Sequence, residues 1–409
     1  MNRFLTTLSL SFVALTAVDA KTLSVPKQFA TIQQAVDAAV DGDVVSVSSG
    51  VYAESVSITG KAITLKAKGN ATIEPLQGGS MLGPGIQVTN APGTRIEGFT
   101  VRLALGLGDL GLGVKVASHG VTLRKLHVVE CEQIGISIVG NGAVVDRCVL
   151  DGCDGGLSLT GDSALVTRTV VKNDGNAGIW VSGIDVTVLK CVVDTVEDGS
   201  GIAVLSGQAK VIACTVRNIP DDDGIYVDAE FTDLVGNDVR FVGDGFSGIN
   251  VVAQSVEVTS NRVRDISGVG IRLAASNGTL TNNVVERAGT SHESGIAIIG
   301  AFATATGNKV QDCDGSGIRV AFGNSTFTKN TVERCRLDGI HIDSGLIGVQ
   351  LVGNVVRSQH GEGFDLRSQP LTMTGNKAQK NRTDFATTVN GFTLPATNVA
   401  TTSGVPQVD

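Results

Sequence analysis

A glycine followed by an aliphatic residue or Phe recurs at Gly113, Gly135, Gly156, Gly178, Gly201, Gly224, Gly248, Gly270, Gly295, Gly317, Gly339 and Gly363, in eleven steps of 21 to 25 residues. A second column keeps the same step at His127, Cys148, Thr169, Cys191, Cys214, Asn237, Asn261, Asn283, Asn308, Asn330, Asn354 and Asn376. Two columns in phase over twelve repeats mark one structural unit stacked on copies of itself. Each unit holds three short apolar runs separated by turn residues, as in Gly270-Ile271-Arg272-Leu273, Thr279-Leu280-Thr281 and Val284-Val285-Glu286. The runs alternate with period two and are too short for helices, so each unit is a coil of three strands. Stacked coils of about 22 residues make an all-β, three-sheet parallel solenoid, right-handed by the crossover rule for parallel strands. Two coils before the regular set bring the expected number to about fourteen.

Composition agrees. Hydrophobic residues make up 42% but aromatics only 4%, which suits thin layers of β-branched side chains rather than one thick core. The formal charge is −8 with no basic run, which argues against nucleic acid as a partner. Like residues one coil apart lie about 4.8 Å from each other, so the Asn amides can bond along the stack and satisfy turn groups. Cys148, Cys191 and Cys214 fill the same column as small apolar thiols, and His127 is assigned to it too. Cys191 with Cys214, and Cys313 with Cys335, sit one coil apart, close enough for a bridge; seven cysteines leave at least one thiol free.

The ends differ from the repeat. Residues 1–20 read as a secretory signal, with Arg3, the apolar run Leu8 to Ala17, and Val18 and Ala20 before the cleavage point. The expected location is therefore secreted, periplasmic or cell-surface, and no later segment reads as a membrane span. Residues 21–76 hold an N-terminal cap and the first strands. There Thr31 and Gln34 form a capping-box pattern ahead of Ile32, Ala35, Val36, Ala39 and Val40 at helical spacing, and a short helix would cover the open end of the core. Residues 77–112 form an early coil with a Gly/Leu-rich insertion, 113–382 the regular solenoid, and 383–409 a tail that caps the far end or hangs loose.

Thr31-Ile32-Gln33-Gln34-Ala35-Val36, Gly42-Asp43-Val44-Val45, Gly50-Val51-Tyr52-Ala53-Glu54 and the Gly-Ile and Asn columns resemble the right-handed parallel β-helix proteins of the pectate-lyase-like superfamily. The resemblance covers roughly residues 22 to 380. It implies a protein that acts on polysaccharides as a lyase, esterase, hydrolase or uronate epimerase, or that binds them without reaction. The chain has no Asp-Pro-His of the uronan epimerases and no Gln/Asp/Asp blocks of the pectin methylesterases. Asp221-Asp222-Asp223 resembles the paired acids of polygalacturonase-like hydrolases, but His360-Gly361 lies six coils away.

Strand alternation places one column outward on the Gly-Ile strands: Ser158, Trp180, Ala203, Tyr226, Asn250, Arg272, Ala297, Arg319, His341 and Asp365. The resemblance implies that this sheet floors a saccharide cleft. Trp180 and Tyr226, two coils or about 10 Å apart, either stack on sugars together with contacts from Arg272 and Asp365, or cover an apolar patch. Asp221, Asp222, Asp223 and Asp228, with Asp198 in the column of Asp221, could hold Ca²⁺, could pair as acid and base with Asp222 and Asp223 in the catalytic roles, or could form a solvated acidic turn. Further along, His341 is a candidate acid or base oriented by Asp343, with Arg319 on a sugar carboxylate and Asp338 and Glu362 in the adjoining turns, or the group is a charged ladder. Two functions therefore stand open for a monomeric chain whose partner is an acidic polysaccharide. One is a lyase, epimerase or glycoside hydrolase with Ca²⁺ as the candidate cofactor. The other is a non-catalytic saccharide-binding or structural solenoid.

Overall fold

The computed structural model describes residues 19–75, 83–103, 111–243, 245–290, 292–368, 371–389, 393–400 and 407–408. The signal assigned to residues 1–20 falls almost wholly outside these residues, and so do residues 104–110 of the Gly/Leu-rich stretch. The described chain is an all-β, right-handed parallel solenoid with one short helix at its N-terminal end.

The Gly-Ile runs form one parallel sheet of sixteen strands from Val56–Thr59 to Gln407–Val408. That is two more than the fourteen coils read from the sequence, because Thr383–Thr387 pairs with Glu362–Leu366 and Gln407–Val408 then pairs with Thr383–Thr387. The other two ladders belong to one hydrogen-bonded sheet rather than two, since Val44–Tyr52, Thr64–Ile73 and Arg95–Arg102 each turn a corner as one continuous strand. From Thr122 onward the corner residue takes a left-handed conformation, as at Lys125, Arg147 and Arg168, and the strand divides in two. Inward Ile202, Val204, Ile225 and Val227 are fully buried, and each such burial contributes about 1.5–3 kcal/mol. The glycine that opens each Gly-Ile strand has a packing reason: a Cβ on Gly201 would strike the Val216 side chain and the Gly224 carbonyl of the next coil.

The Asn column carries hydrogen bonds along the stack. Asn308 donates its Nδ2 to the Leu280 carbonyl at 2.9 Å and to Asn330 Oδ1 at 3.0 Å, and the same Oδ1 accepts the Asn308 backbone N–H at 3.0 Å. The pattern runs from Asn237 to Asn376, where Asn398 accepts the last bonds. His127 is not part of it. The strand pairing sets Val149 opposite His127, so the residue one coil before Cys148 is Leu126, which is buried, while His127 is exposed. A one-residue slip moves a side chain to the opposite face. All seven cysteines are buried free thiols; Cys191 and Cys214 donate to the Leu189 and Ile212 carbonyls, and Cys313 and Cys335 to those of Gln311 and Glu333, rather than forming bridges.

The helix spans Ile32–Ala38, with Thr31 Oγ1 accepting the Gln34 N–H at 3.1 Å. Ile32, Ala35, Val36 and Ala39 close the core, whereas Val40 lies past the helix end and is 52% exposed. Glu54 accepts the N–H groups of Ile32 and Gln33 at 2.7 and 2.9 Å, tying the cap to the first coil. No helix among the described residues is long and apolar enough to cross a membrane.

Candidate functional site

Strand register places the outward column as its alternation requires: Ser158, Trp180, Ala203, Tyr226, Asn250, Arg272, Ala297, Arg319, His341 and Asp365 are successive partners across the sheet. Outward does not mean exposed, however. Asp365 is only 4% exposed because His341 and Arg367 lie against it.

Around His341 the coils bring five ionisable groups into contact. Its Nδ1 lies 3.1 Å from Asp338 Oδ2 and 2.8 Å from Asp365 Oδ2, and its Nε2 lies 3.1 Å from Asp343 Oδ1. Arg319 meets Asp343 with two nitrogens, Nε at 3.3 Å and an Nη at 3.0 Å. Arg367 meets Asp365 in the same way, through Nε at 2.9 Å and an Nη at 2.8 Å. Asp338 Oδ1 accepts the Glu362 backbone N–H at 3.0 Å. The sequence places Arg319, His341, Asp343 and Asp365 together, and the structure brings all four into one network. Arg319 and His341 open onto a cavity of about 560 Å³ whose wall includes Arg336, Glu362 and Arg382.

The network sets the protonation of its members. Burial works against charge on His341, but hydrogen bonds to Asp338 and Asp365 outweigh it and push the imidazole up to about 9. Burial would likewise raise Asp338, yet its hydrogen bonds with His341 and Glu362 hold the carboxyl below the usual range. Glu362, hydrogen-bonded to Asp338 and partly desolvated, is pushed up to about 7. The floor of the cavity thus holds an imidazolium and a carboxyl that exchanges its proton near neutrality, the state that general acid–base work requires. One nitrogen of His341 and one oxygen each from Asp338 and Asp365 lie within 4.8 Å of one another, a set that can coordinate a metal ion.

The acid row behaves differently. Asp223 is 6% exposed; its oxygens accept the Ser247 N–H at 2.6 Å and the Asn250 amide at 2.7 Å, and burial raises its carboxyl. Arg272 donates to Asn250 Oδ1 at 3.0 Å, extending that chain by one coil. Asp222 accepts the Ser200 hydroxyl at 2.9 Å and the Asp223 N–H at 2.7 Å. Asp221 and Asp228 are exposed on either side. Among the described residues, three metal-ligating side chains converge at the Asp338, His341 and Asp365 set and not at Asp221, Asp222, Asp223 and Asp228. Desolvation and the nearby Asp228 raise the Tyr226 phenol.

Trp180 is 47% exposed and forms one wall of a cavity of about 640 Å³ with Leu205, Ser158, Thr160, Ser182 and Asn176. The sequence places Asp338 and Glu362 only in turns, and it assigns no site role to His292, Glu293 or His360. All five line the His341 cavity, as do Arg336 and Arg382. One signal was available: Asp338 and Glu362 stand directly before Gly339 and Gly363, so both occupy one turn column beside the outward His341 and Asp365.

A family model described as "Right handed beta helix region" matches residues 84–239 and 247–400. No curated protein matches the sequence. Among solved structures, the chain is similar to the A-module of the mannuronan C-5 epimerase AlgE6 of Azotobacter vinelandii, at 14% identity over 86% of this chain and 94% of that one, with a TM-score of 0.52. It is also similar to the catalytic unit of a GH87 alpha-1,3-glucanase from Streptomyces thermodiastaticus, at 15% identity over 86% and 67% with a TM-score of 0.46. A third is tailspike protein 3 of bacteriophage CBA120, at 13% identity over 92% and 58% with a TM-score of 0.42. At these identities the likeness is one of fold.

Proposed function

Because the chain belongs to the right-handed beta helix family, we propose that it acts on an acidic polysaccharide laid along the outer face of the Gly-Ile sheet, with the His341 cavity as the reacting centre. The observation that carries this reading is the meeting, in one cavity, of Glu362, His341 and a rim of Arg319, Arg336, Arg367 and Arg382. Guanidinium groups recognise carboxylates through paired hydrogen bonds, so the rim selects uronate over neutral sugar. With the sugar carboxylate neutralised, Glu362 gives or takes the proton, while His341, whose two N–H groups are held by Asp338, Asp365 and Asp343, supplies fixed positive charge beside the reacting sugar. This set serves β-elimination or epimerisation next to the carboxylate, and equally the protonation of a glycosidic oxygen in hydrolysis. The AlgE6 A-module by its name acts on mannuronan, a uronate polymer, which accords with the same substrate class. The reading places the protein outside the cytosol, where such polymers are met, and treats it as a monomer.

Ca²⁺ prefers six to eight oxygen ligands. Asp338 and Asp365 would supply carboxylate oxygens to it and a bound sugar carboxylate would supply more; the ion would screen the charge that the arginines otherwise meet alone. His341 contributes to such a site only when neutral, so a cation and the imidazolium proton compete there.

The test is to incubate the protein with pectate, alginate and glycosaminoglycans, with and without chelator. Unsaturated uronide, new reducing ends and C-5 inversion by NMR are then measured. One of the three products is expected, with His341→Ala and Glu362→Gln each lowering turnover by at least about tenfold, or about 1.4 kcal/mol. Asp228→Asn, on the acid row, serves as the comparison, and a loss there equal to that at His341 would move the reacting centre. A second reading, a saccharide-binding solenoid without turnover, is favoured by the closed Arg319–Asp343 and Arg367–Asp365 pairs, which stabilise the wall as they stand. Uronan binding by calorimetry with no product would select it.

A further inference from the structure

The Trp180 cavity and the His341 cavity lie on one continuous strand face. From Trp180 the register runs through Ala203, Tyr226, Asn250, Arg272, Ala297 and Arg319 to His341 without a break. Seven strand steps at about 4.8 Å set the two side chains about 34 Å apart. The intervening column is low: Ala203 and Ala297 present only a methyl group, and Arg272 lies down along the sheet on Asn250.

The two cavities differ in chemistry. Around His341 the lining is charged. Around Trp180 it combines an indole face and Leu205 with the hydroxyls of Ser158, Thr160 and Ser182 and a single carboxylate, Asp154, and no Lys or Arg contributes to it. Apolar ring face beside hydroxyl groups matches a pyranose, whose C–H face stacks on an aromatic ring while its edge hydroxyls hydrogen-bond. A pyranose unit is also about as long as the strand spacing, so an extended chain can keep pace with the coils.

Resting on the reading of the His341 cavity given above, we infer that Trp180 is a remote stacking subsite, and that the protein is built for polymers long enough to occupy both cavities. A short oligosaccharide fills the His341 cavity and gains nothing from Trp180. A long chain is held at both ends of the face, and the second contact follows at the high effective concentration of an already bound chain.

Trp180 is the only tryptophan in the sequence, so intrinsic fluorescence reads this subsite directly. The probes are polygalacturonate and alginate, each as intact polymer and as oligomers too short to bridge the cavities, with affinities taken from calorimetry. The polymer is expected to shift Trp180 emission and the short oligomers to bind without shifting it. Trp180→Ala should weaken polymer binding about tenfold and leave oligomer affinity unchanged, and Trp180→Phe should restore most of the loss. Polymer binding with unshifted emission, or equal polymer affinity in Trp180→Ala, would overturn the subsite while leaving the His341 reading intact. Failure of every polymer and oligomer to bind would overturn both.

Discussion

His341 is tied to carboxylates on both sides of its ring, and the tie has a sign. A histidine raised from its ordinary 6.5 to about 9 on folding stabilises the fold fully below 6.5, and that stabilisation disappears as the pH climbs through 9. Two carboxyl groups run the other way lower on the scale. Desolvation pushes the fully buried Asp174 up to about 7, and its hydrogen bond with Asp338 brings Glu362 to about the same value. Ionising each costs stability as pH rises from its unfolded value, and both costs are nearly complete by pH 7. The slope between pH 7 and 8 therefore reports His341, because buried thiols such as Cys148, pushed up to about 12 by desolvation, add their own loss only as unfolded thiols ionise at about 8.5. We expect the melting temperature of the parent to fall over that interval and the fall to flatten in His341→Gln, both followed by circular dichroism. An equal slope in the variant would show that the Asp338 and Asp365 contacts do not hold the proton. At this scale the sequence named His341, Asp343, Arg319 and Asp365 correctly as neighbours, because all four stand on alternate positions of adjacent strands. Glu362 went unassigned because the sequence reads it as a turn residue before Gly363, whereas it opens the strand Glu362–Leu366.

Among the elements, the turn carrying the Asn column does most to hold coil to coil. Each Asn completes a turn whose preceding residue is left-handed, as Lys329 is before Asn330, a conformation that costs about 1–2 kcal/mol in a non-glycine residue. The Asn330 amide offsets that cost by pairing two buried backbone groups of the preceding coil, the Ala305 carbonyl and the Asn308 N–H, and by donating to Asn354 Oδ1 of the next. Asn308→Ala and Asn330→Ala should each lose about 1–3 kcal/mol, since they strand buried donors and acceptors. Chemical denaturation measures this, and parental midpoints in both variants would remove the role. The column was legible as hydrogen-bonded amides from its residue type and period alone. Its first member was not: His127 and Leu126 are adjacent in a stretch without Gly-Asn punctuation, and only strand pairing shows which of the two faces the core.

For the whole molecule, stacking leaves an open layer at each end, and the helix of residues Ile32–Ala38 closes the first one with Ile32, Ala35 and Val36. Placing charge in that layer, as Ile32→Asp with Val36→Asp, should lift the cap and expose strand edges to other copies. Light scattering after size exclusion should then show self-association of the variant, and a variant that elutes as the parent does would mean that the cap is dispensable for solubility. The solenoid, its coil length, its inward and outward faces and its capping helix could all be inferred without coordinates. They rest on contacts that repeat at a fixed step, so each coil restates the same local pattern. The sixteenth strand, the single corner-turning sheet of the early coils, the distribution of acid between a hydrogen-bonded row at Asp223 and a cavity at His341, and the gathering of His360, Glu362 and Arg382 required the fold itself. Those features depend on how turns of unequal length bend across the ends of strands, and nothing in a repeating pattern specifies the path of the residues that break it.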